Sequence, residues 1–295
     1  MTNLKTKFAD FFRRTLTRIS PKLNTAVTYR VKFKKKWDEK NPVTLNDKIL
    51  WLKFHTYWNN ALVKQCADKY AVREYIKQIG LKDLLVDSYG VYDNIEDIPW
   101  NNLPKQCVLK LNTGCGCNII VVDKDKLDID SAKKKLSKGM NEKYYLAYSE
   151  MQYKDVQPRI LCEKYIGEED GTLPLDYKFY CMNGKAKYVM ICTDREIGKE
   201  PKYFYFNKNW EMQPFTHDSL KYPEKKILKP EGIEEAFKVA EKLSKSFPFV
   251  RVDLYIVKGK VFFGEFTFTP SAGLDNGRIY STDKLLGDEL VLPKD

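Results

Sequence analysis

The sequence is poor in the residue types that support several common chemistries. Its only histidines are His55 and His217, which excludes a multi-histidine metal site and argues against a Ser-His-Asp triad. No run of about 20 apolar residues occurs, so no segment is expected to span a bilayer. The N-terminus has no small-residue cleavage site after an apolar core, so a secretory signal is not expected.

Cysteine usage points to a reducing compartment. The seven cysteines are scattered and odd in number, and they show no zinc-type pairing. Cys115-Gly116-Cys117 is too closely spaced for a CxxC redox pair. We therefore expect a cytoplasmic protein. The net charge of +11 indicates an anionic partner without identifying it.

Helical and strand patterns are mixed along the chain, which predicts an α+β fold. A helix is expected to start at Thr44, where Asp47 follows at capping-box spacing. Further helices are predicted over residues 2–20, 68–79, 130–139 and 231–246. Strands are predicted over residues 84–92, 107–112, 160–166, 175–182 and 185–193, the last two joined by an Asn183-Gly184 turn.

The stretch "FPFVRVDLYIVKGKVFFGEFTFTP", residues 247–270, reads as a hairpin that carries Arg251, Asp253 and Glu265 among apolar residues. A two-residue Lys258-Gly259 turn would place the two carboxylates on opposite faces. We therefore expect a three-residue turn over 257–259 with a bulge, pairing Arg251 with Glu265 and Asp253 with Phe263.

Two interpretations of these charges stay open on the hairpin alone. The first is a structural Arg–Glu pair across the strands with a solvated aspartate. The second is a Mg²⁺ site, because Mg²⁺ binds carboxylate oxygens and commonly keeps substrate phosphates as further ligands. Choosing between them requires a phosphate-binding element elsewhere in the chain.

A candidate phosphate-binding element lies in "VLKLNTGCGCNIIVV", residues 108–122. A strand carrying Lys110 runs into the loop 112–118, and a second strand follows. Glycines allow backbone N–H groups to close on an anion, and the lysine supplies a counter-charge. No helix follows the loop, so it is not a Walker A motif. An ordinary structural turn is the alternative.

The order of these parts along the chain resembles the ATP-grasp enzymes. A strand lysine with a glycine-rich loop is followed by the strand of "ILCEKYIGEEDG", then by Arg-x-Asp and Glu-x-Thr-x-x-Pro. The motifs "CADKYAVREYI", "LKLNTGCGCN" and "DYKFYCMNGK", together with the hairpin, are most similar to the TupA-like branch, named for teichuronopeptide biosynthesis. The resemblance covers roughly residues 37–290.

The resemblance implies an ATP-grasp fold in which the nucleotide lies between two antiparallel-sheet lobes. The expected organisation is a basic arm (1–36), an N-terminal lobe (37–105), a lid subdomain (106–167) and a C-terminal subdomain with the metal-binding hairpin (168–295).

The resemblance also implies residues that bind ATP. Lys110 would hold the α and β phosphates, Glu163 would meet the adenine amino group, and Asp170 would bind the ribose, with Glu168 and Glu169 as alternatives. The full implied nucleotide-binding set is Lys110, Thr113, Gly114, Cys115, Gly116, Cys117, Asn118, Glu163, Lys164, Tyr165, Ile166, Asp170 and Lys178.

Metal and catalytic roles follow from the same resemblance. Asp253 and Glu265 would bind Mg²⁺, with Glu265 bridging two ions. Thr267 stands where ATP-grasp enzymes generally place an asparagine, and its hydroxyl is a weaker ligand. Arg251 would steady the transferring phosphoryl group, and Lys178 would reach a phosphate.

The implied activity is that of a carboxylate–amine ligase. It would form an amide through an acyl phosphate, on a cell-surface polysaccharide or its precursor, from an anionic substrate and an amine. No nucleic-acid partner is expected. A kinase on the same fold and a polysaccharide glycosyltransferase are the alternatives.

The N-terminal arm lies outside the resemblance. Residues 2–20 place Phe8, Phe11, Phe12 and Leu16 at helical spacing among five basic residues at positions 5–18. This pattern fits either a helix lying on the inner face of an anionic membrane or a helix packed on the globular domain.

Overall fold

The computed structural model describes residues 2–114, 116–168, 172–194 and 200–294. The α-helices in this part of the chain are α1 (Thr2–Ile19), α2 (Pro21–Phe33), α3 (Leu45–Phe54), α4 (Ala61–Ala67), α5 (Val72–Gln78), α6 (Ile129–Met140), α7 (Tyr145–Tyr148), α8 (His217–Lys221), α9 (Ile233–Ser244) and α10 (Tyr280–Glu289). Single turns of 3₁₀-helix lie at Lys82–Leu84, Ile95–Asp97, Trp100–Asn102, Lys124–Lys126, Met151–Tyr153 and Pro270–Gly273.

The strands form two sheets, both entirely antiparallel. The strands are β1 (Ser88–Tyr92), β2 (Cys107–Leu111), β3 (Ile119–Val121), β4 (Ile160–Lys164), β5 (Asp176–Met182), β6 (Lys185–Thr193), β7 (Lys202–Asn207), β8 (Met212–Gln213), β9 (Phe249–Val257) and β10 (Lys260–Thr267). The four-stranded sheet has the order β1-β4-β2-β3, and the six-stranded sheet has the order β10-β9-β5-β6-β7-β8. The predicted α+β class is confirmed. The division into four segments stays a prediction.

Each sheet packs its apolar face against helices. The larger core joins the six-stranded sheet to α3, α5 and α9, and the smaller one joins the four-stranded sheet to α6. Helix α3 begins where it was predicted to begin, because Thr44 and Asp47 cap each other. The Asp47 N–H donates to Thr44 Oγ1 at 3.2 Å, and the Thr44 N–H donates to Asp47 Oδ2 at 3.0 Å.

The turn of the charged hairpin differs from the prediction. Lys258 and Gly259 form a two-residue turn with φ values of 50° and 77°. Val257 consequently pairs with Lys260. Such a turn matches the twist of the flanking strands, whereas the predicted three-residue turn is wrong.

The bulge of this hairpin lies at Gly264, inside the strand. The register shifts between Phe263 and Glu265, so Gly264 is the extra residue. An ideal Cβ on Gly264 would lie 2.9 Å from the carbonyl oxygen of Asp253 and 3.2 Å from the Tyr255 ring. Only glycine allows the two strands to approach this closely.

The bulge decides which side chains share a face. Arg251 pairs with Thr267 rather than with Glu265, and Asp253 pairs with Glu265 rather than with Phe263. Both predicted pairings are therefore wrong. The bulge nevertheless places both carboxylates on one face of the sheet, as the predicted three-residue turn would have done. Phe263 packs in the apolar core.

The N-terminal helices attach to the domain through polar side chains. Thr17, Asn24 and Ser149 hydrogen-bond to one another at 2.8–3.0 Å, all three buried. Tyr29 of α2 donates to Asp47 Oδ1 at 2.6 Å. The apolar stripe of α1 does not pack on the domain: Phe8, Phe11 and Phe12 are exposed, and Leu16 is half-buried.

We expect Gly264→Ala to lower the free energy of unfolding by about 1–3 kcal/mol, because the added Cβ forces the β9 backbone away. Gly277→Ala is the matched control, since its Cβ would meet only the Asp275 side chain, at 3.2 Å. Thermal and denaturant unfolding of both variants measure the difference. Equal stability of the two would contradict the assigned role of the bulge.

Candidate active site

The central strands of the six-stranded sheet hold a buried charged cluster. Lys178 on β5 lies opposite Asp253 on β9, and its Nζ donates to Asp253 Oδ2 at 2.8 Å. Arg251 donates to the same carboxylate from Nε at 2.7 Å and from Nη2 at 2.6 Å. The Asp253 side chain is only 2 % exposed, so these two cations compensate its buried charge. Lys178 also donates to Asp176.

The pKa values of the cluster reflect this pairing. Burial alone would raise the pKa of Asp253, but the charges of Arg251 and Lys178 outweigh it and hold that pKa below its usual value. Burial would lower the pKa of Lys178, but Asp253 and Asp176 outweigh it and raise that pKa. Burial and the charge of Asp253 raise the pKa of Asp176 despite the neighbouring Lys178. Asp253 and Lys178 are thus held in their charged forms.

Glu265 is the accessible carboxylate of the hairpin. Its side chain is 37 % exposed, with Oε2 3.3 Å from Lys69 Nζ and Oε1 3.8 Å from Arg251 Nη2. The hydroxyl of Thr267 accepts a hydrogen bond from Arg251 Nη2 at 3.0 Å. The residues that the sequence assigned to metal binding and phosphoryl transfer are therefore brought together on one sheet face.

The donor set suits Mg²⁺ better than a metal that needs an all-protein site. In the part of the chain that the structure describes, no group of three or more His, Cys, Asp or Glu residues is placed to hold a metal. Asp253 and Glu265 lie directly opposite each other; Glu265 is accessible, whereas a bound ion would have to replace one of the contacts that Arg251 and Lys178 make with Asp253. Mg²⁺ typically takes one or two carboxylates and completes its coordination with water and substrate phosphates.

The four-stranded sheet carries a second ion-pair group. Lys110 on β2 places Nζ 2.5 Å from Oε2 of the buried Glu163 on β4. Arg73 at the start of α5 donates from Nη1 to Glu163 Oε1 at 3.2 Å and from Nη2 to the Val86 carbonyl at 2.9 Å. The predicted phosphate-binding lysine and adenine-binding glutamate are thus in direct contact.

The loop between β2 and β3 reaches the charged hairpin through Lys69. Gly114 and Gly116 have φ values of 71° and 82°, in the region that favours glycine. Lys69 Nζ donates to the Gly114 carbonyl at 2.9 Å while lying 3.3 Å from Glu265. This one ammonium joins the loop of one sheet to the hairpin of the other.

The other predicted loop residues differ in accessibility. Thr113 and Cys117 are half-buried, whereas Gly116 and Asn118 are exposed. Cys115 lies outside the described residues.

A cavity of about 610 Å³ lies beside the end of β4. Lys164, Tyr165, Ile166 and Glu168, which were predicted at the nucleotide site, line this cavity, and their role in nucleotide binding stays a prediction. Asp170, the predicted ribose ligand, and its alternative Glu169 lie outside the described residues. The remaining walls are partly apolar and partly charged: Leu85, Val86, Val257 and Phe262 line the cavity together with Lys82, Asp83, Asp87, Lys258 and Lys260.

A second cavity of about 650 Å³ opens where the loop, the hairpin and the N-terminal helices meet. Arg251, Glu265 and Thr267 line one side, and Gly114 lines another. Helices α1 and α2 contribute four further side chains and the domain contributes three tyrosines: Arg13, Thr28, Val31, Lys32, Tyr144, Tyr148 and Tyr153. The Arg13 guanidinium lies 4.9 Å from the centre of the Tyr148 ring.

Three residues of the candidate site were not predicted from the sequence: Lys69, Arg73 and Asp176. Lys69 and Arg73 belong to "CADKYAVREYI", and Asp176 begins "DYKFYCMNGK", so all three lie in motifs that supported the resemblance. Lys69 was not predicted as a site residue because it falls within the predicted helix 68–79. In the structure Asp68 caps a turn at this position, and α5 starts only at Val72.

A strand lysine with its glycine loop on one antiparallel sheet and a carboxylate hairpin on the other is the arrangement expected of an ATP-grasp protein. The model of the family described as TupA-like ATP-grasp matches residues 47–291. The match spans most of the chain, so the chain belongs to the TupA-like ATP-grasp family. The resemblance expected from the motifs is thereby confirmed.

The likeness to solved structures is weaker than the match to the family. D-alanine–D-alanine ligase from Bacillus anthracis complexed with ATP has 16% identity and a TM-score of 0.47, covering 76% of this chain and 61% of that chain. L-amino acid ligase from Bacillus licheniformis has 12% identity and a TM-score of 0.46, covering 78% and 50%. The chain thus spans less than two thirds of either structure, and these values carry no argument about activity.

No curated protein matches the chain. Within the described residues, no helix combines the length and the apolar character needed to cross a membrane.

We expect Glu265→Gln to abolish Mg²⁺-dependent ADP formation while leaving thermal unfolding unchanged, because this carboxylate is partly exposed. Asp253→Asn should abolish the same activity and also cost about 3–5 kcal/mol of stability, since it leaves Arg251 and Lys178 buried without their partner. Enzyme assays and calorimetry separate the two effects. Full activity of both variants would exclude the metal assignment.

We expect Lys69→Met to raise the KM for ATP by about tenfold, because the loss of a charged hydrogen bond releases the loop from the hairpin. Lys77→Met is the control, since Lys77 is exposed and pairs with its helical neighbour Glu74. Steady-state kinetics with varied ATP measure the change. Identical KM values for the two variants would show that the bridge is not used.

Proposed function

We propose that the chain is an ATP- and Mg²⁺-dependent carboxylate–amine ligase acting on a cell-surface polysaccharide or its precursor. The observation that carries this proposal is the second cavity. There the predicted phosphate loop and the predicted metal-binding hairpin open into one space of about 650 Å³, which has room for a further substrate.

The adenine ring is proposed to bind in the first cavity. Val86 and Phe262 give this cavity an apolar surface that suits a flat aromatic ring, and residues 164–166 line the same space beside charged side chains such as Lys82 and Lys260. Glu163 lies beside this segment and is fixed by Lys110 and Arg73. The phosphates then extend towards Lys110 and the loop, where the charge of Lys69 also lies.

The proposed reaction needs positioning and charge rather than an enzyme nucleophile. A substrate carboxylate oxygen attacks the γ-phosphorus of ATP, and the bond to the β-phosphate oxygen breaks to give an acyl phosphate and ADP. An amine then attacks the acyl carbon; phosphate leaves, and the amine loses a proton. Bound Mg²⁺ would be held by Asp253 and Glu265 and would offset negative charge on the phosphates. Arg251 donates to Asp253 and lines the second cavity beside Glu265, where it can stabilise the transferring phosphoryl group.

The carboxylate substrate is proposed to occupy the second cavity. Arg13 and Lys32 provide positive charge on the side of the cavity formed by the arm, away from the hairpin carboxylate Glu265, and can pair with an anionic substrate there; Glu150 lines the cavity as well. Tyr144, Tyr148 and Tyr153 provide ring faces and hydroxyls that suit a sugar. Arg13 and Lys32 lie outside the matched residues 47–291, so this part of the site belongs to the N-terminal arm.

The test is ADP release by the purified chain with ATP and Mg²⁺, screened against sets of sugar acids and amino acids. A ligase should release one ADP per amide formed and should need both a carboxylate and an amine. ADP release without an amine, with a stable phosphorylated product, would identify the kinase alternative. Nucleotide release from a sugar nucleotide without ATP would identify the glycosyltransferase.

With an active substrate pair, Arg13→Met should raise the KM for the carboxylate at least about tenfold and leave the KM for ATP unchanged, because a charge-assisted hydrogen bond is lost. Arg18→Met, on an exposed part of the same helix, is the control. If both variants bind the carboxylate like the unmodified chain, the substrate does not reach the arm.

A further inference from the structure

Helix α1 presents its apolar side to solvent and its polar side to the protein. Phe8, Phe11, Phe12 and Ile19 are 72 %, 66 %, 49 % and 71 % exposed. At 100° per residue these positions fall on one face of the helix. Thr17, on the opposite face, is buried. A helix on the surface of a water-soluble domain normally has the reverse orientation.

Polar contacts fix this orientation. Arg14 pairs with Glu142 and donates to the Lys143 carbonyl at 3.2 Å. Thr17 shares a hydrogen bond of 3.0 Å with Ser149. Turning the aromatic stripe towards the protein would break these contacts and expose buried polar groups.

The charge of the arm shows which partner the stripe fits. Residues 1–36 contain eleven Lys or Arg residues and one Asp, a net charge of +10, whereas the whole chain carries +11. Lys7, Arg18 and Arg30 are exposed on these two helices, and 34–36 adds three exposed lysines. Two such arms would repel each other, which argues against a second copy of this chain as the partner.

We propose that α1 binds in the plane of an anionic phospholipid membrane. Its stripe of Phe8, Phe11, Phe12 and Ile19 enters the boundary between headgroups and acyl chains, and the neighbouring cations meet the lipid phosphates. An exposed aromatic face combined with basic flanks is the combination that binds such an interface.

The proposal has a consequence for the second cavity. Arg13 projects from a different face of α1 and lines that cavity, while the stripe meets the lipid. A helix is about 10–12 Å in diameter with its side chains, so docking would hold the cavity close to the membrane surface. Membrane binding itself does not require the proposed ligase activity, and the two can fail independently.

The test is flotation of the full chain with phosphatidylcholine vesicles, with and without phosphatidylglycerol, at low and at high salt. We expect binding only with phosphatidylglycerol and weakening at high salt. F8Q/F11Q/F12Q should reduce binding at least about tenfold, because it removes the buried apolar area while keeping residues that favour a helix. K7Q/R18Q should reduce it at low salt only.

The matched control is L228Q/V291Q, which changes side chains that are 90 % and 69 % exposed outside the arm. It should bind vesicles like the unmodified chain, and thermal unfolding should be unchanged in every variant. Absence of flotation at low salt, or equal flotation of the aromatic triple variant, would overturn the proposal. So would a dimer, detected by light scattering, that the triple variant converts to a monomer.

Discussion

The carboxylate of Asp253, almost sealed from solvent between the Arg251 guanidinium and the Lys178 ammonium, organises the rest of the site. Neither an isolated carboxylate nor an isolated cation would be stable at this depth, so each needs the others. Satisfying all three requires β5 and β9 to align in one register, and the bulge at Gly264 aligns β10 with them. That register in turn places Glu265 opposite Asp253, at the edge of the second cavity.

At the site the two sheets contact each other through charged side chains. A closely packed apolar contact at this position would leave no room for a ligand. Lys69 contacts both the loop of the smaller sheet and Glu265 of the larger one. Arg73, four residues later, holds Glu163 of the smaller sheet. The short segment from Lys69 to Arg73, which leads into α5, therefore sets the positions of both the loop and the predicted adenine-binding carboxylate. A substitution in this segment would therefore alter the contacts predicted for both the phosphate end and the adenine end of a bound nucleotide.

Local patterns predicted the elements but not the long-range contacts. Some helix starts and hairpin turns could be predicted because the residues that signal them are adjacent in the sequence, as at Thr44 and at Asn183-Gly184. The bulge at Gly264 could not be predicted, because a glycine in an alternating strand does not show whether the register shifts there. Lys69 was missed for a related reason: its partners Gly114 and Glu265 are far along the chain, and no local spacing connects them.

Helix α2 was also missed, although Ser20 caps it and Pro21 stands at its first turn. Its buried residues are mainly polar, so the apolar periodicity that usually indicates a helix is missing from this stretch. Together with Trp37, Leu50 and Leu274, Tyr29 of this helix forms a third apolar cluster. Because Leu50 belongs to α3 and Leu274 follows the charged hairpin, the arm seals part of the catalytic domain's own interior. Helix α2 is therefore part of the packed interior, and a protease that removed the first 36 residues would open a hydrophobic surface beside the active site.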